Sequence, residues 1–144
     1  MKTLATILAL LATPAAADIC DKVVIHGLSY HTDRELIQDV NELNYGLGCR
    51  LERVVGPLDA QFGAYRNSYD KTSVYGLADW TASSGLGVYA GIATGYDEPH
   101  TFDNGLTVIG GAVYQAEHFT VRATPSYNPR TETAGAVFAV SLTF

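Results

Sequence analysis

His31, Glu42, Asn67 and Ser68 are the residues of this chain whose types together could do chemistry. An imidazole titrates near neutral pH and serves as a general base, and a serine hydroxyl is a weak nucleophile until such a base takes its proton. A carboxylate or amide beside the imidazole, here Glu42 or Asn67, can hold it in the required tautomer. The corresponding chemistry is acyl transfer, with Ser68 attacking an ester carbonyl and His31 handling the proton. Each residue also has a plainer reading. A single histidine at a strand end is commonly a surface residue, and Asn67-Ser68 before Tyr69-Asp70 is ordinary turn composition. Glu42 could equally pair with Arg34 or Arg66.

These residues are far apart in sequence, so the elements between them must bring them together. Apolar and polar residues alternate with period two along most of the chain, which marks strands. Eight strands are expected, at 22–31, 41–53, 58–67, 71–81, 86–97, 106–115, 118–126 and 134–144. Most have the ~9–11 residues that a tilted strand needs to cross a bilayer. Residues 33–40 could add one helical turn. Connections alternate between short and long, as in barrels with short periplasmic turns and longer external loops. The expected fold is therefore all-β, an eight-stranded antiparallel up-and-down transmembrane β-barrel. In that topology the end of strand one (His31), the start of strand two (Glu42) and the end of strand three (Asn67-Ser68) share the external rim.

The last strand supports the same reading. Ala136, Phe138, Val140, Leu142 and Phe144 form an apolar stripe, and Ser141 and Thr143 lie on the other face. A soluble sandwich would alternate likewise with its apolar stripe inward. The start of the chain favours the membrane. Met1-Lys2, an apolar run from Leu4 to Ala12 and Ala15-Ala16-Ala17 read as a secretory signal peptide over 1–17, leaving one domain over 18–144. The expected location is the bacterial outer membrane. The formal net charge of −6 argues against nucleic acid as a partner. Metal motifs and Gly-rich phosphate loops are absent, so no metal or cofactor is expected.

In strand two, Leu43, Tyr45, Leu47, Cys49 and Leu51 are expected to face lipid, with Glu42, Asn44, Gly46, Gly48, Arg50 and Glu52 towards the lumen. Export permits a disulfide between Cys20 and Cys49. Setting the cysteines opposite each other pairs Val24 with Tyr45, Ile25 with Asn44 and His26 with Leu43. That register turns His26 to lipid and His31 and Ser29 to the lumen.

Three stretches carry a family resemblance. They are Tyr30-His31, then Asn41-Glu42-Leu43-Asn44-Tyr45-Gly46-Leu47-Gly48, then Tyr65-Arg66-Asn67-Ser68-Tyr69-Asp70-Lys71. Together they resemble the lipid A palmitoyltransferase (PagP-type) family of outer-membrane enzymes. The resemblance implies functional roles for His31 and Ser68, and places Asn67 where the family has an aspartate. It implies a phospholipid donor and a lipid A acceptor, reached from the outer leaflet. Separately, the barrel is expected to be embedded in the membrane as a monomer. It also implies an apolar slot for one acyl chain in the outer half of the lumen, with room made by Gly46, Gly48, Gly63 and Gly76. Without an enzyme, those glycines would only relieve crowding in a packed barrel. The family's N-terminal amphipathic helix has no counterpart, because strand one starts within a few residues of Asp18.

Three functions remain open on sequence. One is an acyltransferase, and another is a lipid A deacylase or esterase with water as acceptor. The third is a non-enzymatic barrel that binds through loops 98–105 and 127–133, which contain or adjoin Asp97, Glu98, His100, Asp103, Arg130 and Glu132.

Overall fold

In a computed structural model, the chain forms a closed antiparallel barrel in which each strand pairs with its sequence neighbours. The structure describes residues 19–32, 40–96, 102, 105–128 and 132–144. The signal segment 1–17, residues 33–39 of the expected helical turn, and Asp97, Glu98, His100, Asp103 and Arg130 lie outside the described residues.

The strands are β1 (Lys22–His31), β2 (Leu43–Val55), β3 (Leu58–Arg66), β4 (Thr72–Thr81), β5 (Leu86–Thr94), β6 (Leu106–Gln115), β7 (Phe119–Asn128) and β8 (Thr133–Thr143). β2 therefore starts and ends two residues later than the alternation suggests, and β5 stops three residues earlier. β5 ends where Gly95 adopts a φ of +81°, which takes the backbone out of the sheet. Closure comes from β1 and β8, paired from Val24 with Thr143 to His31 with Val137. Below that, Val23 and Phe144 exchange both backbone hydrogen bonds, at 2.8 and 3.0 Å.

The barrel is inside-out relative to a soluble protein. Leu43, Tyr45, Phe62, Val74, Ile92, Val108, Phe138, Val140 and Leu142 are exposed on its wall. Arg50, Gln61, Asp79, Thr120, Arg122 and Ser141 are buried inside it. Only a hydrocarbon surround makes that arrangement stable, because in water the wall would be one continuous apolar surface. The protein is an integral membrane β-barrel.

In β1 and β2, two facings differ from expectation. β1 and β2 pair as Val24 with Gly48, Ile25 with Leu47 and His26 with Gly46, three residues away from the cysteine-centred register. The Cys20–Cys49 bond does form, but Cys20 precedes β1, so it does not report the ladder; the partner of Cys49 there is Val23. An odd shift exchanges the two faces of a strand. His26 consequently points into the lumen, not to lipid, and meets the Tyr75 hydroxyl at 2.8 Å. A bulge between His26 and Leu28, at Gly27, then moves the inward phase from even to odd positions. Ser29 and His31 thereby stay inside, as expected. Cys49 is buried and does not join the lipid-facing stripe.

Packed residues fill the lumen. Towards the chain termini, Arg122 donates to both carboxylate oxygens of Asp79 at 2.8 and 3.0 Å. Arg50 lies 3.3 Å from the same carboxylate and 2.7 Å from that of Asp59, and also bonds Gln115. Higher up, Gln61 joins Arg122 to the Tyr75 hydroxyl, and the His26, Tyr65 and Tyr75 rings pack against one another in tilted and edge-to-face contacts. The room at Gly46 and Gly48 belongs to this cluster. A Cβ on Gly46 would lie 2.5 Å from Cα of Tyr65, and one on Gly48 only 2.3 Å from the Tyr75 hydroxyl. Gly63 backs onto the Gly48 backbone, whereas Gly76 pairs with Phe62 and Ile92 on the wall. Gly46 and Gly48 therefore do not open an acyl slot. They let Tyr65 and Tyr75 cross a narrow interior, which eight strands leave just wide enough for side chains.

Candidate functional site at the long-loop rim

Turns at the end bearing the chain termini are short, spanning 56–57, 82–85 and 116–118. The long connections all leave the opposite rim, which is external by the usual asymmetry of these barrels. β1 ends there with His31, β2 begins there, and β3 delivers Asn67 and Ser68.

His31 and Ser68 meet. Ser68 Oγ lies 3.0 Å from His31 Nε2, across 37 positions of sequence. β1 and β3 are separated by β2, hence by about 10 Å of sheet. The two side chains span that gap only because both sit at strand ends and reach over the start of β2. His31 is buried and Ser68 half-buried, so the pair lies at the edge of the interior.

Asn67 does different work from that of a charged partner. It is fully buried, and its carboxamide bonds run to the surrounding turn. Nδ2 donates to Ser73 Oγ at 3.0 Å and to the Gly95 carbonyl at 2.7 Å. Oδ1 accepts from the backbone N–H groups of Tyr69 and Lys71, both at 3.0 Å. This is an Asx-type turn, closed further by backbone hydrogen bonds from the Asn67 N–H to the Lys71 carbonyl and from the Asp70 N–H to the Asn67 carbonyl. It presents Ser68 from a fixed corner. Gly95 is required opposite it, because a Cβ there would sit 2.5 Å from the Thr72 carbonyl oxygen.

Glu42 stands at the same rim. Its backbone carbonyl accepts the Ser29 N–H at 2.9 Å, two residues from His31. In the turn after β3, Asp70 accepts from Arg66 at the strand's end at 2.7 Å, and that guanidinium holds the Asp70 carboxyl below its ordinary range. The Tyr96 phenol is pushed up by burial and then by Tyr65, whose hydroxyl it meets at 2.6 Å. Among the described residues, no group of three histidines, cysteines and carboxylates is arranged to hold a metal ion.

Sequence reasoning missed Asn41, Ser73 and Gly95 as supports of the site. Asn41 offered a weak signal, an asparagine two residues before a strand that could close an Asx turn. Ser73 and Gly95 offered none, since their importance lies in contacts across strands. In the lumen, Asp79 and Arg122 were legible as charges at mid-strand positions, a costly placement unless they face each other.

Comparison with protein-family profiles and with curated protein sequences finds no match. Among solved structures, the chain is similar to the outer membrane protein Ail of Yersinia pestis in a phospholipid bilayer nanodisc. That likeness has 10% identity and a TM-score of 0.41, over 85% of this chain and 98% of the other. It carries nothing about the residues of the rim.

Proposed function

We propose that this barrel is an outer-membrane acyltransferase that moves an acyl chain from a phospholipid to lipid A in the external leaflet. The observation that carries this reading is the 3.0 Å approach of Ser68 Oγ to His31 Nε2. Nucleophile and base must come within hydrogen-bond reach, and here two residues distant in sequence do so at the rim. The resemblance of the stretches around His31, Glu42 and Ser68 to lipid A palmitoyltransferases supports the donor and the acceptor.

In the first half-reaction, Ser68 Oγ attacks the donor ester carbonyl while His31 Nε2 takes its proton. His31 returns that proton to the departing oxygen, and a lysophospholipid leaves with the acyl group on Ser68. In the second, an acceptor hydroxyl gives its proton to His31 and attacks the acyl-serine. Ser68 recovers the proton, and an ester of the acceptor is released. The sequence of steps consumes no cofactor. A barrel that closes with its own strands needs no second chain, which supports a monomer.

The test is mass spectrometry of lipid A from cells producing the wild type, His31→Ala or Ser68→Ala, with membrane insertion checked by heat-modifiable mobility. The expected result is one added acyl chain with the wild type and none with either variant. Loss of a chain would make the protein a deacylase. Unchanged lipid A with inserted wild-type barrel would leave a binding protein acting through its loops.

A further inference from the structure

Asn41 touches both halves of the rim pair's support. Its backbone N–H donates to the Ser68 carbonyl oxygen at 3.0 Å. Its side-chain Nδ2 donates to the Asn67 carbonyl oxygen at 3.2 Å and to that of Leu43 at 3.0 Å. Its Oδ1 accepts the Leu43 N–H at 3.1 Å. The Asx turn onto Leu43 fixes the side chain, and the fixed amide reaches across to the neighbouring turn. The next residue, Glu42, takes the Ser29 N–H on β1. Asn41-Glu42 is thus a bracket, with one arm on the strand that carries His31 and the other on the turn that carries Ser68. It sits at the start of β2, over which the two side chains must reach.

We infer that Asn41 is a positioning residue for the acyl transfer proposed above: it holds Ser68 within hydrogen-bonding distance of His31 without touching the substrate. The inference rests on that function for its kinetic arm only. Few residues could replace Asn41, because the site uses an acceptor and a donor on one short planar group. Aspartate would keep the acceptor but set a carboxylate oxygen against the carbonyls of Asn67 and Leu43. Serine would keep a short acceptor yet could not span to Asn67. Alanine would lose the whole side-chain clamp.

The experiment compares wild type with Asn41→Ala, Asn41→Asp, Asn41→Gln and Ser68→Ala in lipid bilayers. Its activity-independent readout is the pair of His31 ring-nitrogen resonances, followed by NMR through a pH titration. Asn41→Ala and Asn41→Asp are expected to reproduce the Ser68→Ala spectrum, because the hydroxyl has moved away from Nε2. Amide resonances of the lower barrel should not shift. Asn41→Gln, which retains both functions on a longer arm, should recover part of the wild-type signal. In the kinetic arm, kcat of Asn41→Ala should fall by about 100-fold with KM unchanged, as expected when a reacting group is displaced by an ångström. A wild-type His31 spectrum in both Asn41→Ala and Asn41→Asp would overturn the inference. Absence of transfer by the wild type would overturn the proposed function instead, while the spectra still decide the role of Asn41.

Discussion

The side-chain amide of Asn67 donates to the carbonyl oxygen of Gly95 at 2.7 Å, tying the turn that presents Ser68 to the end of β5. That bond needs a donor, which an amide supplies and an ionised carboxylate does not. An ionised aspartate at this position would face a carbonyl oxygen in a buried site, with no hydrogen to offer. Asn67→Asp is therefore expected to destabilise the barrel by about 1–3 kcal/mol, the cost of an unsatisfied buried polar group. Urea unfolding in lipid vesicles measures it. A variant as stable as wild type, with increased acyl transfer, would mean that the missing charge had been limiting.

Asp79 lies between two guanidiniums in the lumen, 2.8 Å from that of Arg122 and 3.3 Å from that of Arg50. Removing it takes away the carboxylate that the two guanidiniums share and leaves Asp59 on Arg50. Asp79→Ala should cost about 3–5 kcal/mol, as expected when one partner of a buried ionic network is lost. The same unfolding assay reads this out. A loss below about 1 kcal/mol, the scale of an exposed pair, would show that water reaches the network.

The Cys20–Cys49 bridge closes a loop between residues 29 apart and fastens the segment before β1 to β2. Replacing both cysteines by serine should lower stability by about 3–4 kcal/mol on the loop-entropy account. The barrel should still insert, since the β1–β2 ladder does not depend on the bridge. Failure of the double variant to show heat-modifiable mobility would contradict that independence.

Arg66 depresses the Asp70 carboxyl, so the sign of its pH effect is fixed. Stabilisation of the turn is present above the ordinary value of 3.8 and is lost as pH falls through the lower value of the folded state. The Asp70 amide resonance should therefore shift with a midpoint below 3.8, and Asp70→Asn should remove the step. A midpoint above that value would show that the pair does not form in the membrane. The effect on global stability is expected to be small, since Asp70 is largely exposed and Arg66 only half-buried, so solvent screens the pair.

Alternation was enough to read the wall of this barrel. Phe138, Val140 and Leu142 face outward and Ser141 and Thr143 inward because period two leaves only one choice once the lumen is polar. The alternation of loop lengths was enough to place His31 and Ser68 on one rim. What alternation cannot register is an inserted residue, and the bulge at Gly27 is one; His26 was misread for that reason together with the false register. Nor can it register who fills a gap. Gly48 reads as empty space until Tyr75 arrives from a strand two positions away around the barrel. The supports of Ser68 were hidden for a related reason. Asn41, Ser73 and Gly95 act through hydrogen bonds between separate turns and strands, whose geometry no local pattern encodes.

The pairing of β1 with β8 also has a consequence for how the protein is made. Residues as distant as Val24 and Thr143 must find each other before the sheet is complete. Contacts of that sequence separation form slowly, and a nascent sheet awaiting them presents two raw edges able to recruit other chains. Biogenesis thus hinges on shielding an unzipped intermediate until its first and last strands dock.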